Sequence, residues 1–481
     1  MADLTFFWHD YETFGRDPRR DRPSQFAGVR TDAQLNEIEA PVMHYCQPAP
    51  DFLPDPEACL LTGILPQTCL AQGLPEHAFA DAIEAELARP GTVGVGYNSI
   101  RFDDEVTRHL FWRCLMDPYA REWQDECGRW DLLDVVRAAW ALRPQGIEWP
   151  SHPDGRVSFR LEDLARANGL VHEAAHDALS DVRATIGLAR RVRQRQPRLW
   201  DFCLGLRRKE AVVAQMELAQ RQGEPFLHVS GMYGPQTGCV AVVWPLAPHP
   251  THRNEVIVWD LAHDPAELAT LGVESIRQRM FTKTADLPEG VARLPIKTVH
   301  LNRAPIVIGN LKTLSDEQAA RWHIDLAQSR RHAAALGSSA HLLAGLWPAV
   351  FEREPRDAAA DVDSDLYGGL VGNEDRRALQ RLRGLDGKAL ARCRPAFVDP
   401  RLDEIFFRYR ARNFLSTLTE AEQARWLAHC AHRLHDGGEG ATTLASFFDR
   451  IDALGEDADE RSQAILGALV DYATEIAPER D

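Results

Sequence analysis

Residues 5–15, TFFWHDYETFG, set two carboxylates, Asp10 and Glu12, two positions apart inside a stretch that is otherwise aromatic and apolar. Such a run reads as a strand. Alternate side chains of a strand share a face, so Asp10 and Glu12 point one way and Tyr11 the other. Like charges that close raise each other's pKa and destabilise the fold unless a cation compensates. A divalent metal is the obvious compensator. The plainer alternative is a strand end whose carboxylates simply reach solvent.

The chain leaves room for such a site. Its 481 residues exceed one ordinary core, so about two to four domains are expected. The composition, 44% hydrophobic and 26% charged, is that of a globular protein. No apolar run approaches the roughly 20 residues that span a membrane, and MADLTFFWHD has neither a basic n-region nor a cleavage site. A cytoplasmic protein with no membrane association is expected. Nine cysteines without a Cys-x-x-Cys pair fit reduced, buried thiols better than disulfides or a zinc site. The net charge of −16, from 55 basic and 71 acidic residues, argues against a protein held to nucleic acid by bulk charge. It leaves room for a local basic track.

Residues 1 to 196 alternate strand-like and helix-like segments. DLTFFWHDYE, QFAGVRTD and EAPVMHYCQP read as strands, HAFADAIEAELARPG as a helix, and TVGVGYN as a short buried strand. DDEVTRHLFWRCL, RWDLLDVVRAAWAL, RLEDLARANG and DALSDVRATIGLARRVRQR then read as helices. This order predicts an α/β sheet with helices packed on it. Beyond RQPRLWD the pattern changes. Short strands such as CVAVVW and NEVIVWDL, divided by Pro- and Gly-bearing turns, suggest a small β-rich domain, and helical periodicity dominates from residue 353. The acidic stretch EREPRDAAADVDSD makes a boundary loop.

Three further residues join the opening pair. GYNSIRFDDE carries a strand into a helix and leaves Asp103 at the junction, where ligands gather in α/β folds; a helix N-cap is its plainer role. AAHDALSD adds His176 and Asp181. Five residues of α-helix separate two side chains by about 140°, so the two can share a target only if His176 lies in the loop before the helix. Asp177 then serves as N-cap and Asp181 sits about one turn inside. Four carboxylates and a histidine from one domain suit a two-metal phosphodiester hydrolase, and oxygen ligands without thiolate favour Mg²⁺ or Mn²⁺.

The motifs HDYETFG, GYNSIRFDDEVTRHLFW, RWDLLDVVRAAWALRPQGIEWP, SFRLEDLARANG and HDALSDVRATIGLA resemble those of the bacterial exodeoxyribonuclease I family, within the DEDDh 3′→5′ exonuclease superfamily. The likeness continues through HVSGMYG, LAPHPTHRNEVIVWDLA and FFRYRARNF. It implies an α/β RNase H-like exonuclease domain over residues 1–196, an SH3-like β domain over 197–350 and a helical C-terminal domain over 353–481. It also implies processive digestion of single-stranded DNA to nucleoside 5′-monophosphates, in DNA repair and recombination. The family's acidic positions carry over onto Asp10, Glu12, Asp103 and Asp181, and its general base onto His176. Asp104 and Glu105 follow directly, but the superfamily's carboxylate succeeds a phenylalanine, so Phe102 selects Asp103. The resemblance implies two Mg²⁺ ions, with Mn²⁺ a substitute: Asp10, Glu12 and Asp181 on the first, Asp10 bridging to the second near Asp103.

Substrate contacts implied by the family are Glu12, Thr13 beside the carboxylates, and Arg160 in SFRLED, which could fork a phosphate or pair with Glu162 or Asp163. In IFFRYRARNF a helix puts Leu402, Phe406, Tyr409 and Asn413 on one face and Arg408 and Arg412 on another. Core packing fits the aromatics. For Arg408, Arg410 and Arg412 the family supports a DNA-facing track, with a solvated basic face as the plainer reading. A monomer is expected, docking the acidic tail of a single-stranded DNA-binding protein through Arg143. A DEDDh exoribonuclease and a non-catalytic strand-binding scaffold are the competing readings.

Overall fold

The computed structural model describes residues 4–170, 177–352 and 361–479. The chain divides into two compact units, one of Met1–Gly128, His172–Arg183 and Arg356–Asp481, the other of Arg129–Val171 and Ala184–Pro355.

In the first unit the aromatic opening forms β1 (Thr5–Thr13), joined by β2 (Pro23–Thr31), β3 (Val42–Tyr45) and β4 (Thr92–Gly96) in the order β3-β2-β1-β4. β1 runs antiparallel to β2 from Phe6↔Thr31 to Glu12↔Gln25, with an irregularity between Glu12 and Thr13. On its other edge it runs parallel to β4 only from Thr5↔Thr92 to Trp8↔Val95. The last residues of β1 therefore project beyond the end of β4, at the carboxyl end of a parallel pair. The turn after β4 passes so close that a Cβ on Gly96 would lie 3.0 Å from the His9 carbonyl, and Asn98 takes a left-handed φ of 65°. Helices Glu76–Leu87 and Asp103–Arg113 cover one face, burying Phe79, Ile83, Val106 and Leu110 against Phe7, Tyr11 and Phe26. Asp10 and Glu12 emerge on the opposite face.

The helical C-terminus shares cores with these first residues. Phe14, Phe52, Leu53 and Ile64 pack with Leu434, Phe447, Ile451, Leu466 and Leu469. Trp112 and Leu115 pack with Leu366, Leu379, Leu402, Ile405 and Phe406.

The residues RWD, expected at the start of a helix, form instead β5 (Gly128–Asp131), and the helix begins at Leu132 with Asp131 as its N-cap. The second unit carries a sheet of β6 (Phe226–Val229), β7 (Val240–Pro248), β8 (Glu255–Asp260), β9 (Ile296–His300) and β10 (Ile306–Ile308), ordered β10-β6-β7-β8-β9. Every neighbouring pair in it is antiparallel. CVAVVW and NEVIVWDL lie on β7 and β8 as expected. The long helix Leu326–Leu343, opened by the Asp325 side chain accepting from the Gln328 amide, was not anticipated within the β-rich region.

Candidate active site

β1, the turn after β4 and the helix Ala178–Arg195 bring Asp10, Glu12 and Asp181 together: one carboxylate oxygen of each lies within 4.8 Å of the others. Asp103 completes the group through the backbone. Because β4 stops at Gly96, the Tyr11 amide on that edge of β1 has no strand partner there, and it donates instead to Asp103 Oδ1 at 3.1 Å. Asp103 is thus the first residue of its helix rather than the N-cap; Phe102 holds the cap position without a side-chain bond. The Tyr11 hydroxyl and Thr107 Oγ1 lie 3.0 Å apart, and Thr107 donates to the Asp103 carbonyl, tying strand to helix a second time.

The neighbouring acids are committed elsewhere. Asp104 pairs with Arg121 at 2.6 Å, and Glu105 accepts from Arg108 and from the Tyr367 hydroxyl. Asp177 accepts from the Ser180 amide, the capping role expected of it, and Asp181 follows one turn in. His176 lies outside the described residues. His9, next to Asp10, shares the Tyr11 face; burial pushes its pKa down to about 4, so it is neutral and not part of the cluster.

Charge sets the character of the site. Burial first, then the charges of Asp103, Glu12, Asp181 and Asp177, hold Asp10 well above the usual carboxylate range. Burial, Asp181 and Asp177 push Glu12 up to about 8. Asp177 is thus a fifth acid acting on the pair. Oxygen donors this close, without thiolate, fit a hard divalent cation, which would remove the repulsion.

Gln25 carries no motif, yet it sits opposite Glu12 on β2, buried, and its side-chain oxygen accepts from the Ala178 amide at 3.2 Å. It thereby anchors the first turn of the helix that delivers Asp181. Nothing in β2, which also carries Ser24, Arg30 and Thr31, singles it out in the sequence.

Similarity to known proteins agrees with this geometry. Family models match as Exonuclease over residues 7–189, Exonuclease I SH3-like domain over 207–353 and Exonuclease I C-terminal domain over 360–476. Exodeoxyribonuclease I of Escherichia coli is 43% identical over 474 residues, 98% of either chain. The chain belongs to the exonuclease I family. Its Haemophilus influenzae relative is 43% identical over 478 residues, 99% of each chain. Exonuclease I of Methylocaldum szegediense superposes with a TM-score of 0.92 at 47% identity, covering 98% of this chain and 99% of that one. The Escherichia coli enzyme in complex with a dA16 oligonucleotide gives 0.93 at 42%, covering 98% and 100%. A zinc-bound form of that enzyme with single-stranded DNA gives 0.91 at 42%, covering 98% and 99%.

The remaining expected contacts fare differently. The Thr13 hydroxyl donates to the Gly15 carbonyl at 2.6 Å, and Thr13 is buried in the β1–β2 ladder opposite Pro23. Arg160, in the second unit, has a side chain 71% exposed, and Glu162 is 3.8 Å away, a weak hold. The three C-terminal arginines do not form an exposed basic track. Arg408 and Arg410 are 2% and 4% exposed. Arg408 pairs with Asp361, Glu404 and Glu439, Arg410 with Glu422, and Arg412 with Asp51 and Asp363 at 2.6 Å each. Acids distant in sequence cover the face that the helix pattern alone leaves open to solvent. The aromatics of that helix do enter the core, Phe406 among them.

Proposed function

We propose that this exonuclease I family member removes nucleoside 5′-monophosphates from the 3′ end of single-stranded DNA, processively, with two Mg²⁺ ions for which Mn²⁺ can substitute. The observation that carries the reading is the cluster of Asp10, Glu12 and Asp181, whose carboxylate oxygens converge within 4.8 Å while burial and mutual repulsion raise Asp10 and Glu12. Asp10, Glu12 and Asp181 would hold one ion, and Asp10 with Asp103 the other. When bound, the ions make water a better nucleophile and stabilise charge on the phosphodiester. The chain's own groups do the rest. Tyr11 and Thr107 fix Asp103, Gln25 fixes the start of the Asp181 helix, and His176 takes the proton of the attacking water, a task an imidazole suits. Arg160 is free to fork a phosphate. The catalytic domain is assigned to residues 1–196, and 197–350 and 353–481 to holding the strand.

The same reading includes the acidic tail of a single-stranded DNA-binding protein as a partner. Arg143, which donates to the Thr313 carbonyl at 3.2 Å, lines a cavity of about 420 Å³ with Leu142, Pro197, Leu199, Phe202 and Ile308. A cation beside an apolar hollow suits a carboxylate-terminated apolar peptide.

The test is release of mononucleotides from end-labelled DNA and RNA strands of one sequence, with Mg²⁺, with Mn²⁺ and with chelator. Metal-dependent loss of 3′ nucleotides from DNA, with RNA resistant, is expected; equal digestion of RNA would make the chain an exoribonuclease, and binding without cleavage a scaffold. His176→Ala should lower turnover by at least about 10² with strand affinity unchanged, since a general base acts in the transition state. Equal losses of affinity and turnover would make His176 a binding residue.

A further inference from the structure

The chain is acidic as a whole, yet residues 373–394 carry seven basic side chains against three acidic. The basic groups ride on two short helices of the first unit, Asn373–Leu382 and Gly387–Arg392, and on the turns after them. Two of the acids are already committed. Asp375 is buried and accepts from the Val398 and Asp399 amides, and Asp386 accepts from the Ala389 amide as an N-cap. Arg383 turns away to pair with Glu84 on the helix Glu76–Leu87.

Arg394 donates to the Ala391 and Cys393 carbonyls. That leaves Arg376, Arg377, Arg381, Lys388 and Arg392, all exposed, and none has a side-chain hydrogen bond or ion pair among the described residues. Arg377 with Arg381, and Lys388 with Arg392, are like charges four apart on a helix. Such pairs weaken the helix that carries them. A surface that concentrates uncompensated arginine on an acidic protein is suited to an external polyanion.

Its chemistry narrows the polyanion. Four of the five groups are guanidinium, whose fork matches phosphate oxygens. The segment contains no aromatic residue on which a base could stack. Its apolar side chains Ala378, Leu379, Leu382 and Leu390 are buried in the core, so it presents repeated charge without a hydrophobic hollow. A backbone of regularly spaced phosphates fits that description better than a folded ligand or an apolar-ended peptide.

Its location separates it from the cleavage site. The helix Glu76–Leu87, to which Arg383 is tied, packs Phe79 and Ile83 on the Phe7, Tyr11 and Phe26 face, opposite Asp10 and Glu12. We infer that Arg376, Arg377, Arg381, Lys388 and Arg392 form a second phosphate contact for single-stranded DNA, behind the catalytic sheet. It is reached only by strands long enough to pass around it. This inference rests on the single-stranded DNA reading above.

Point reversals in the full chain test it, because removing the C-terminal helices would strip the shared core around Phe14 and Phe52. The variants are Arg376→Glu/Arg377→Glu/Arg381→Glu and, separately, Lys388→Glu/Arg392→Glu, each checked by a cooperative melt. Binding of short and long oligodeoxythymidylate is measured against salt. Each lost phosphate contact should flatten the log–log salt slope by about 0.7, so the triple variant loses about 2 on the long strand. The short strand should bind and be cut as before. A long-strand slope equal to wild type in both folded variants overturns the inference. So does an unchanged slope together with lost binding of a polyglutamate peptide, which would assign the patch to an acidic protein segment. If wild type fails to cut the short strand with metal, the substrate reading has failed instead, independently of the patch.

Discussion

Two buried clusters of charge lie in the same unit, and they are built on opposite plans. Around Asp10 and Glu12 the charges that raise the pair are, among the described residues, all acids. Around Asp51, Asp361 and Asp363 every acid meets arginine: Arg22 and Arg412 on Asp363 at 2.7 and 2.6 Å, Arg412 on Asp51 at 2.6 Å, Arg408 and Arg433 on Asp361 at 2.9 Å each. The consequences have opposite sign. Although burial alone would raise them, the arginine charges hold Asp51 and Asp363 well below the usual carboxylate range, while Asp10 and Glu12 stand above it. Buried charge that the chain neutralises itself is architecture, here binding the C-terminal helices to the strand and loops of the nuclease. Carboxylates that raise one another's pKa are instead the pattern a bound cation relieves.

The same conservative substitution should therefore do opposite things in the two places. Asp10→Asn should reduce metal-dependent cleavage to background while the metal-free protein melts higher than wild type, since one of the repelling carboxylates is gone. Near-normal Mg²⁺-dependent release of nucleotides from this variant would remove Asp10 from the catalytic set. Asp363→Asn should instead leave Arg22 and Arg412 buried without their counter-charge and cost about 3–5 kcal/mol of stability, measured by denaturant unfolding. Turnover per folded molecule on a short strand should survive. An Asp363→Asn protein as stable as wild type would mean that the network is not what joins the C-terminal helices to the nuclease.

The contrast also explains what could be read from the chain. Asp10 and Glu12 were legible because strand alternation fixes a shared face over two residues. Asp181 was legible because Asp177, read as the N-cap, sets it one turn inside its helix. These are local constraints. The arginines of IFFRYRARNF were misread because their partners, Asp51 and the acids of 361–363, are remote in sequence, and a helical pattern reports only that a face is polar. Gln25 was invisible for a related reason: its task, holding the Ala178 amide, depends on a contact across 153 residues. The first four strands and most helices of the nuclease region followed from periodicity; β5 did not, because RWD runs directly into an amphipathic helix and reads as its start. The sharing of cores between Phe14 or Trp112 and the C-terminal helices is long-range and leaves no periodic trace.

The last expected effect sets the two clusters against each other in a single measurement, the stability of the metal-free protein against pH. For Glu12 the folded value is raised from 4.5 to about 8. Between those values the folded state keeps a proton that the unfolded state has released, so stability falls as pH rises through the window. Asp10 adds in the same direction. For Asp51 and Asp363 the folded values are depressed, so their contribution is present above the unfolded value near 3.8 and is lost as pH falls toward the folded one. The melting temperature should thus drop on both sides of a maximum near pH 5. Glu12→Gln should flatten the alkaline limb and leave the acid limb in place. Saturating Mg²⁺ should flatten it too, because a bound cation removes the reason for the raised values. Asp363→Asn should soften the acid limb alone. An alkaline limb equally steep in Glu12→Gln and wild type would show that other groups carry it, and the carboxylate cluster would lose its standing as the unbalanced member of the pair.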